Sequence, residues 1–169
     1  KRSAHLLDEI FYQERLSFFE FSPPASLAGA ASIIIVSVPQ PKICVPFQWE
    51  KNQYFLIIPP TYLYEPDDKI RKALESILVP AGYMLERTSL PLKNLAVRSG
   101  FAEYGKNNIT YVNGSGSFHR LVGFFSDLPC FDENWIEPKI MTACQNCQAC
   151  FNNCPSRALS KNSFLIRAE

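Results

Sequence analysis

Residues 144–155 read CQNCQACFNNCP, that is Cys144-x2-Cys147-x2-Cys150-x3-Cys154-Pro155. Three thiols two residues apart let one short loop turn its sulfurs onto a common centre. With a fourth cysteine three residues on and a proline after it, this is the ferredoxin-type run that holds [4Fe–4S] clusters. The fourth thiol, Cys154, serves the other cluster in two-cluster ferredoxins. Structural zinc sites pair C-x2-C knuckles across a longer loop, so a zinc-stabilised interaction module is the reading the spacing fits less well. Gln145, Asn146, Gln148, Asn152 and Asn153 lie between the thiols, which argues against inert, buried cysteines. Cys144, Cys147 and Cys150 lack a fourth ligand and Cys154 lacks three, so the spacing predicts a second cysteine run beyond Glu169. Cys44 and Cys130 are possible substitutes. Cys44 sits in an apolar strand and reads as a packed core thiol, whereas Cys130 lies nearer the cluster and stays open.

The remainder of the chain is ordinary globular sequence. Its 169 residues suit one domain and a small module, and at 47% hydrophobic and 20% charged it can bury a core. Seventeen Lys and Arg against sixteen Asp and Glu leave a net charge of +1, so no basic excess points to nucleic acid or to anionic lipid. The apolar run AASIIIVSV is too short to span a bilayer. No small-residue cleavage site follows it, so it is not a signal peptide. Four of six cysteines fall within eleven residues, which favours metal and a reducing compartment, the cytoplasm, over a disulfide scaffold.

Periodicity predicts a helix over 4–19, a buried β-branched strand over 32–38, and a hairpin of strands 42–49 and 53–59. DDKIRKALESILVPAG (67–82) reads as a helix capped by Asp67 or Asp68, with Ile70, Ala73, Leu74, Ile77 and Leu78 on its apolar face. A short strand over 83–87 and a helix over 91–100, opened by Pro91 and closed by Gly100, come next. Strands over 108–112 and 117–128 are joined by the turn NGSG, within which nothing else is patterned. The order predicts an α+β layer domain at about 1–138 and a metal module from 139 to 169.

Gly100-x4-Gly105-Lys106 has the spacing of a phosphate-binding loop. A P-loop follows a strand and opens a helix, so that free N–H groups meet the phosphates. Here a helix precedes and strand-like NITYV follows, and Asn107 stands where the motif needs a hydroxyl. The match is coincidental.

LAVRSGFAEYGKNN, then GSFHRLVGFFSDLP, then the cysteine run, in this order, resembles the epoxyqueuosine reductases and the related corrinoid reductive dehalogenases. The resemblance covers about residues 83–160. It implies a nitroreductase-like α/β layer domain followed by a ferredoxin-type iron–sulfur module, incomplete in this chain, with clusters passing electrons to a base-off cobalamin. It also implies a redox partner such as ferredoxin or flavodoxin. The family's proton-donating acid falls on Glu86, an exposed strand carboxylate paired with a base being the alternative. Where the family has two aromatics in its GSWFF segment, this chain has His119 and Arg120. The tRNA-binding repeats of epoxyqueuosine reductases do not fit in this length.

Four further residues are candidates for the cofactor. Strand alternation puts His119 on one face with Leu121 and Gly123, where it meets either a cofactor or the core. Lys106 and Arg98 flank the 99–108 loop and could clasp a phosphate, a carboxylate or a corrin side-chain amide. Arg98 is equally explained as helix C-terminal charge. Tyr104 could stack, donate a hydrogen bond, or pack in the core. Two functions of different class remain: an iron–sulfur oxidoreductase with its own substrate site, and an electron carrier whose α+β domain only docks a partner.

Overall fold

The computed structural model describes residues 8–59, 66–130, 134–157 and 159. Within them one strand organises the rest: β7 (His119–Ser126), HRLVGFFS, from which five of the last six residues and the first are buried on both faces of a sheet. It is the middle strand of a three-stranded antiparallel sheet, between β1 (Ser32–Pro39) and β4 (Leu85–Arg87). The register sets Ile34 against Phe124, Val36 against Val122 and Glu86 against Phe125.

Because side chains alternate along a strand, β7 must be apolar on two sides if both are covered. On one side Val122 and Phe124 join Leu85, Ile34 and Val38, and α2 (Pro66–Leu78) lays Ile70, Leu74 and Leu78 over them. On the other side Leu121 packs with Ala96 and Val97 of α3 (Leu92–Arg98), together with Ala102, Tyr104 and Val112. Phe125 closes the far end of that side with Leu27 and Leu90. The result is a mixed α/β arrangement, as expected in outline. None of its described helices is long and apolar enough to cross a membrane.

Two residues fix how closely the layers approach. A Cβ on Gly123 would fall inside the van der Waals radius of Leu92 Cδ2 and 2.9 Å from Thr88 Cγ2, so only glycine lets α3 sit down on the sheet. On the opposite side, Asp67 does not cap α2. Its carboxylate crosses to β7, accepting from Arg120 Nε at 2.6 Å and Nη2 at 2.8 Å, and it also accepts from Arg87. Asp67 is buried, and the Arg120 hydrogen bonds hold its carboxyl below the usual aspartate range against the opposing effect of burial.

Other expectations shift in detail. The described N-terminal helix is α1 (Glu9–Arg15), with Asp8 Oδ1 accepting from Phe11 N at 2.7 Å, and none of its residues is buried; positions 4–7 lie outside the described residues. The strand expected over 32–38 forms, yet among the described strands it is an edge with half-exposed side chains, not a buried strand. The hairpin of β2 (Ile43–Trp49) and β3 (Asn52–Ile58) forms with a two-residue Glu50–Lys51 connection. On α2, Ile77 points to solvent at 68% exposure. Two strands, β5 (Glu103–Tyr104) and β6 (Thr110–Tyr111), pair with each other, so the segment before NGSG turns back on 103–104 and does not join the main sheet. Asp127 accepts from Met84 N at 2.8 Å, tying the end of β7 to the start of β4.

Replacing Asp67 with Ala removes the carboxylate that accepts two hydrogen bonds from Arg120, a side chain 17% exposed. The expected cost is about 2–4 kcal/mol in urea unfolding at neutral pH. Since the folded carboxyl titrates below an unfolded aspartate, its contribution is present above about pH 4 and is lost as pH falls through the folded value. The gap between wild type and variant therefore closes in acid; a gap that stays constant to low pH contradicts the ion pair. Gly123→Ala is expected to cost about 1–3 kcal/mol by the same measurement, because Leu92 must leave its position.

Candidate functional site

The Gly-rich stretch after α3 holds the cysteine segment against the α/β layers. Gly100, at φ 76, closes α3 as its left-handed terminal residue, and Gly100 N donates to Val97 O at 3.0 Å. The chain then passes through β5, turns at Lys106–Asn107, and returns through β6. Gly105 is required at this turn: a Cβ there would lie 2.6 Å from both Asn107 Oδ1 and Tyr111 Cε2. No helix starts after Lys106, so the backbone presents no phosphate cradle, in agreement with the sequence reading.

Lys106 is committed elsewhere. Its Nζ donates to Gln145 O at 2.8 Å and to Cys147 O at 3.3 Å, two carbonyls of the loop between the first two cysteines of the run. Three contacts upstream align the same segment with the end of α3 and with β5. Ile136 N donates to Arg98 O at 2.7 Å, Arg98 Nη2 lies 3.6 Å from Glu137 Oε1, and Met141 N donates to Tyr104 O at 2.9 Å beside a parallel Tyr104–Ile140 bridge. Arg98, Tyr104 and Lys106, chosen as cofactor residues, are thus brought together as a dock for residues 136–147. The Tyr104 ring is buried in the core beside Ala96 and Val97, and burial pushes its phenol above the ordinary value.

On that dock, Cys144 ends a 3-10 turn (Thr142–Cys144), Cys147 is exposed, and Cys150 lies in the four-residue helix α4 (Ala149–Asn152). Cys154 follows, its Sγ 3.6 Å from Ser156 Oγ. Among the described residues no three Cys, His, Asp or Glu side chains are gathered around one point. The four thiols nonetheless sit on one short, polar loop docked on the layers, with the spacing read from the sequence. Metal binding commonly supplies the free energy that closes such a loop. Cys44 is exposed on β2, which overturns its reading as a packed core thiol.

His119 and Glu86 take different places from those expected of site residues. His119 is buried, and both ring nitrogens are engaged: Nδ1 is 2.9 Å from Gly116 O and Nε2 is 3.1 Å from Thr110 Oγ1. A carbonyl can only accept, so Nδ1 carries the proton, and in the neutral ring Nε2 accepts from the Thr110 hydroxyl. The ring pins the NGSG turn to β6. Glu86 Oε1 accepts from Ser26 Oγ at 3.0 Å and lines a small cavity of about 170 Å³ together with Glu75.

The larger cleft lies at the open edge of β1 and has a volume of about 590 Å³. Its walls are apolar and aromatic, including Ile33, Ile35, Leu95, Phe101, Phe125 and Trp135. Ser32 and Cys130 also contribute to its wall. Neither Glu86, Lys106 nor His119 faces it. Sequence reasoning missed this cleft. No local pattern in the sequence marked it, since Phe101 and Trp135 join Ile33 and Ile35 only through tertiary contacts.

No family model matches the chain. In sequence it is similar to an epoxyqueuosine reductase of Cyclobacterium marinum, 28% identical over 109 residues, covering 62% of this chain and 34% of that protein. In structure it is similar to the epoxyqueuosine reductase of Streptococcus thermophilus, with a TM-score of 0.59 and 20% identity over 85% of this chain and 40% of that one. The chain thus spans about a third of the curated relative's length. The resemblance read from the motifs holds in both sequence and fold.

Lys106→Met removes both bonds to the loop. Backbone amides at 145–148 are then expected to exchange several-fold faster in hydrogen–deuterium exchange, with β7 amides unchanged. Equal protection in both proteins contradicts the tether.

Proposed function

We propose that the chain is the iron–sulfur portion of an oxidoreductase of the epoxyqueuosine reductase kind, with a small-molecule site in the cleft beside β1. The observation that carries this reading is the four-cysteine run docked on the α/β layers through Lys106, Arg98 and Tyr104. Cys144, Cys147 and Cys150 would hold one [4Fe–4S] cluster and Cys154 would join a second. Such a group, when bound, supplies single electrons at low potential. The division into a nitroreductase-like domain over 1–138 and a ferredoxin-type module from 139 belongs to the same proposal.

The chain's own residues have separate tasks in this reading. Lys106 and the 136–141 contacts hold the loop in register with β5. Phe101, Phe125 and Trp135 exclude water from the cleft and offer flat faces to a ring-bearing ligand of the size that pockets of several hundred Å³ accept. The cobalamin implied by the family resemblance does not fit the residues first chosen for it. His119 has no free nitrogen, Lys106 is bonded to backbone, and Glu86 lines another cavity.

The electron-carrier reading is favoured by one observation, the exposure of Cys147 at the surface. A cluster there could exchange electrons with a docked protein and leave the cleft unused.

The test is anaerobic reconstitution of the full chain with iron and sulfide. About four irons per cluster and a reducible, EPR-active centre are expected, with Cys147→Ala losing most of the iron. Zinc retained in place of iron, with no reducible centre, overturns the redox function. Quenching of Trp135 emission by planar ring compounds then separates the two redox readings. Saturable quenching abolished by Phe101→Ala supports a substrate site, and its absence supports the carrier.

A further inference from the structure

Among the described residues the β2–β3 hairpin pairs with no other strand, and every one of its residues except Ile58 is exposed. A two-stranded ribbon standing alone in water is marginally stable, and three strands or a covered face are needed to hold it. The cross-strand register puts Ile43, Val45, Phe47 and Trp49 on one face, opposite Ile58, Leu56, Tyr54 and Asn52. Phe47 and Trp49 stack there, centroids 6.4 Å apart and planes within 16°. Trp49 is 61% exposed and Leu56 52%. Neither strand contains a charged residue.

We propose that this face is a homodimer interface, in which the hairpins of two copies pack face to face about a two-fold axis. The large side chains on the face leave on the order of 600 Å² uncovered per copy. That lies at the upper end of the contiguous apolar surface a monomer leaves bare. Two such faces bury about 1,200 Å² together, which reaches the size of a stable specific interface. The lack of charge matters for the choice of occupant: partners that come and go meet through polar rims, whereas permanent self-association is apolar at its centre. A two-fold axis also lets one face be its own complement. Pro46 has no N–H to offer along β2, which blunts that edge against continuous sheet extension and leaves the face as the contact.

The experiment is sedimentation velocity on the full chain from nanomolar to high micromolar concentration. A species of twice the chain mass is expected in wild type. Leu56→Lys and Phe47→Lys, each on the proposed face, are expected to weaken self-association at least ~100-fold, equivalent to two decades in the dissociation constant. Phe55→Lys, on the opposite face, leaves it intact. A second readout guards against misfolded variants. In a Trp135→Phe background Trp49 is the sole tryptophan, and its emission should move to the red as dimer dilutes to monomer. A wild type monomeric at all concentrations overturns the proposal. So does a dimer that survives both lysine variants, or Trp49 emission that is blue-shifted in a monomer, which would assign the cover to another part of the polypeptide or to a different partner.

Discussion

Both faces of β7 have to be buried at once, and nearly every other placement follows from that demand. The strand carries apolar side chains on both of its faces, so α2 covers one side and α3 the other. Gly123 lets α3 come close enough to do so, because its missing Cβ is the space Leu92 occupies. The one charged residue in the strand, Arg120, is tolerated because Asp67 meets it from the covering helix with two short hydrogen bonds. Had α2 been capped by that aspartate, the guanidinium would have lost both of these hydrogen bonds. The pair therefore fixes the helix against the sheet at a point where apolar packing alone would allow it to slide.

The same constraint explains which parts of the architecture were legible in the sequence. Long, patterned elements were: the β-branched run of β1, the apolar face of α2, the Gly100 stop after α3, and the hairpin. Each carries its own signal in local periodicity or turn chemistry. The β5–β6 pair was not, because a strand of two residues has no period to detect. Whether β1 is an edge or an interior strand was also beyond reach, since aliphatic runs suit either. Asp67 and Arg120 are 53 positions apart, and the Lys106 link to the cysteine loop spans 39, so no local rule joins them.

For the site, the sequence singled out the four-cysteine run and the loop it docks on but misjudged what the supporting residues touch. Lys106 was read as a ligand clasp because a lysine between glycine and two asparagines resembles an anion site. In the folded chain its ammonium finds two carbonyls before any anion. Strand alternation left His119 facing either a cofactor or the core, and the second holds: the ring is a buried brace between a turn and β6. The cleft beside β1 is built from residues that look like plain core in sequence, so no local rule pointed to it.

The Lys106 tether reads the cysteine loop by its backbone, not by its side chains. Both acceptors are main-chain oxygens, so the identities of Gln145 and Asn146 are invisible to it. What it measures is length: one residue inserted between Cys144 and Cys147 would rotate a carbonyl away and slide the thiols along the dock. Natural or engineered variants of this loop are accordingly free to drift in composition while remaining fixed in residue count. The interval between the cysteines is gauged twice over, by the metal they would share and by a lysine that touches none of them.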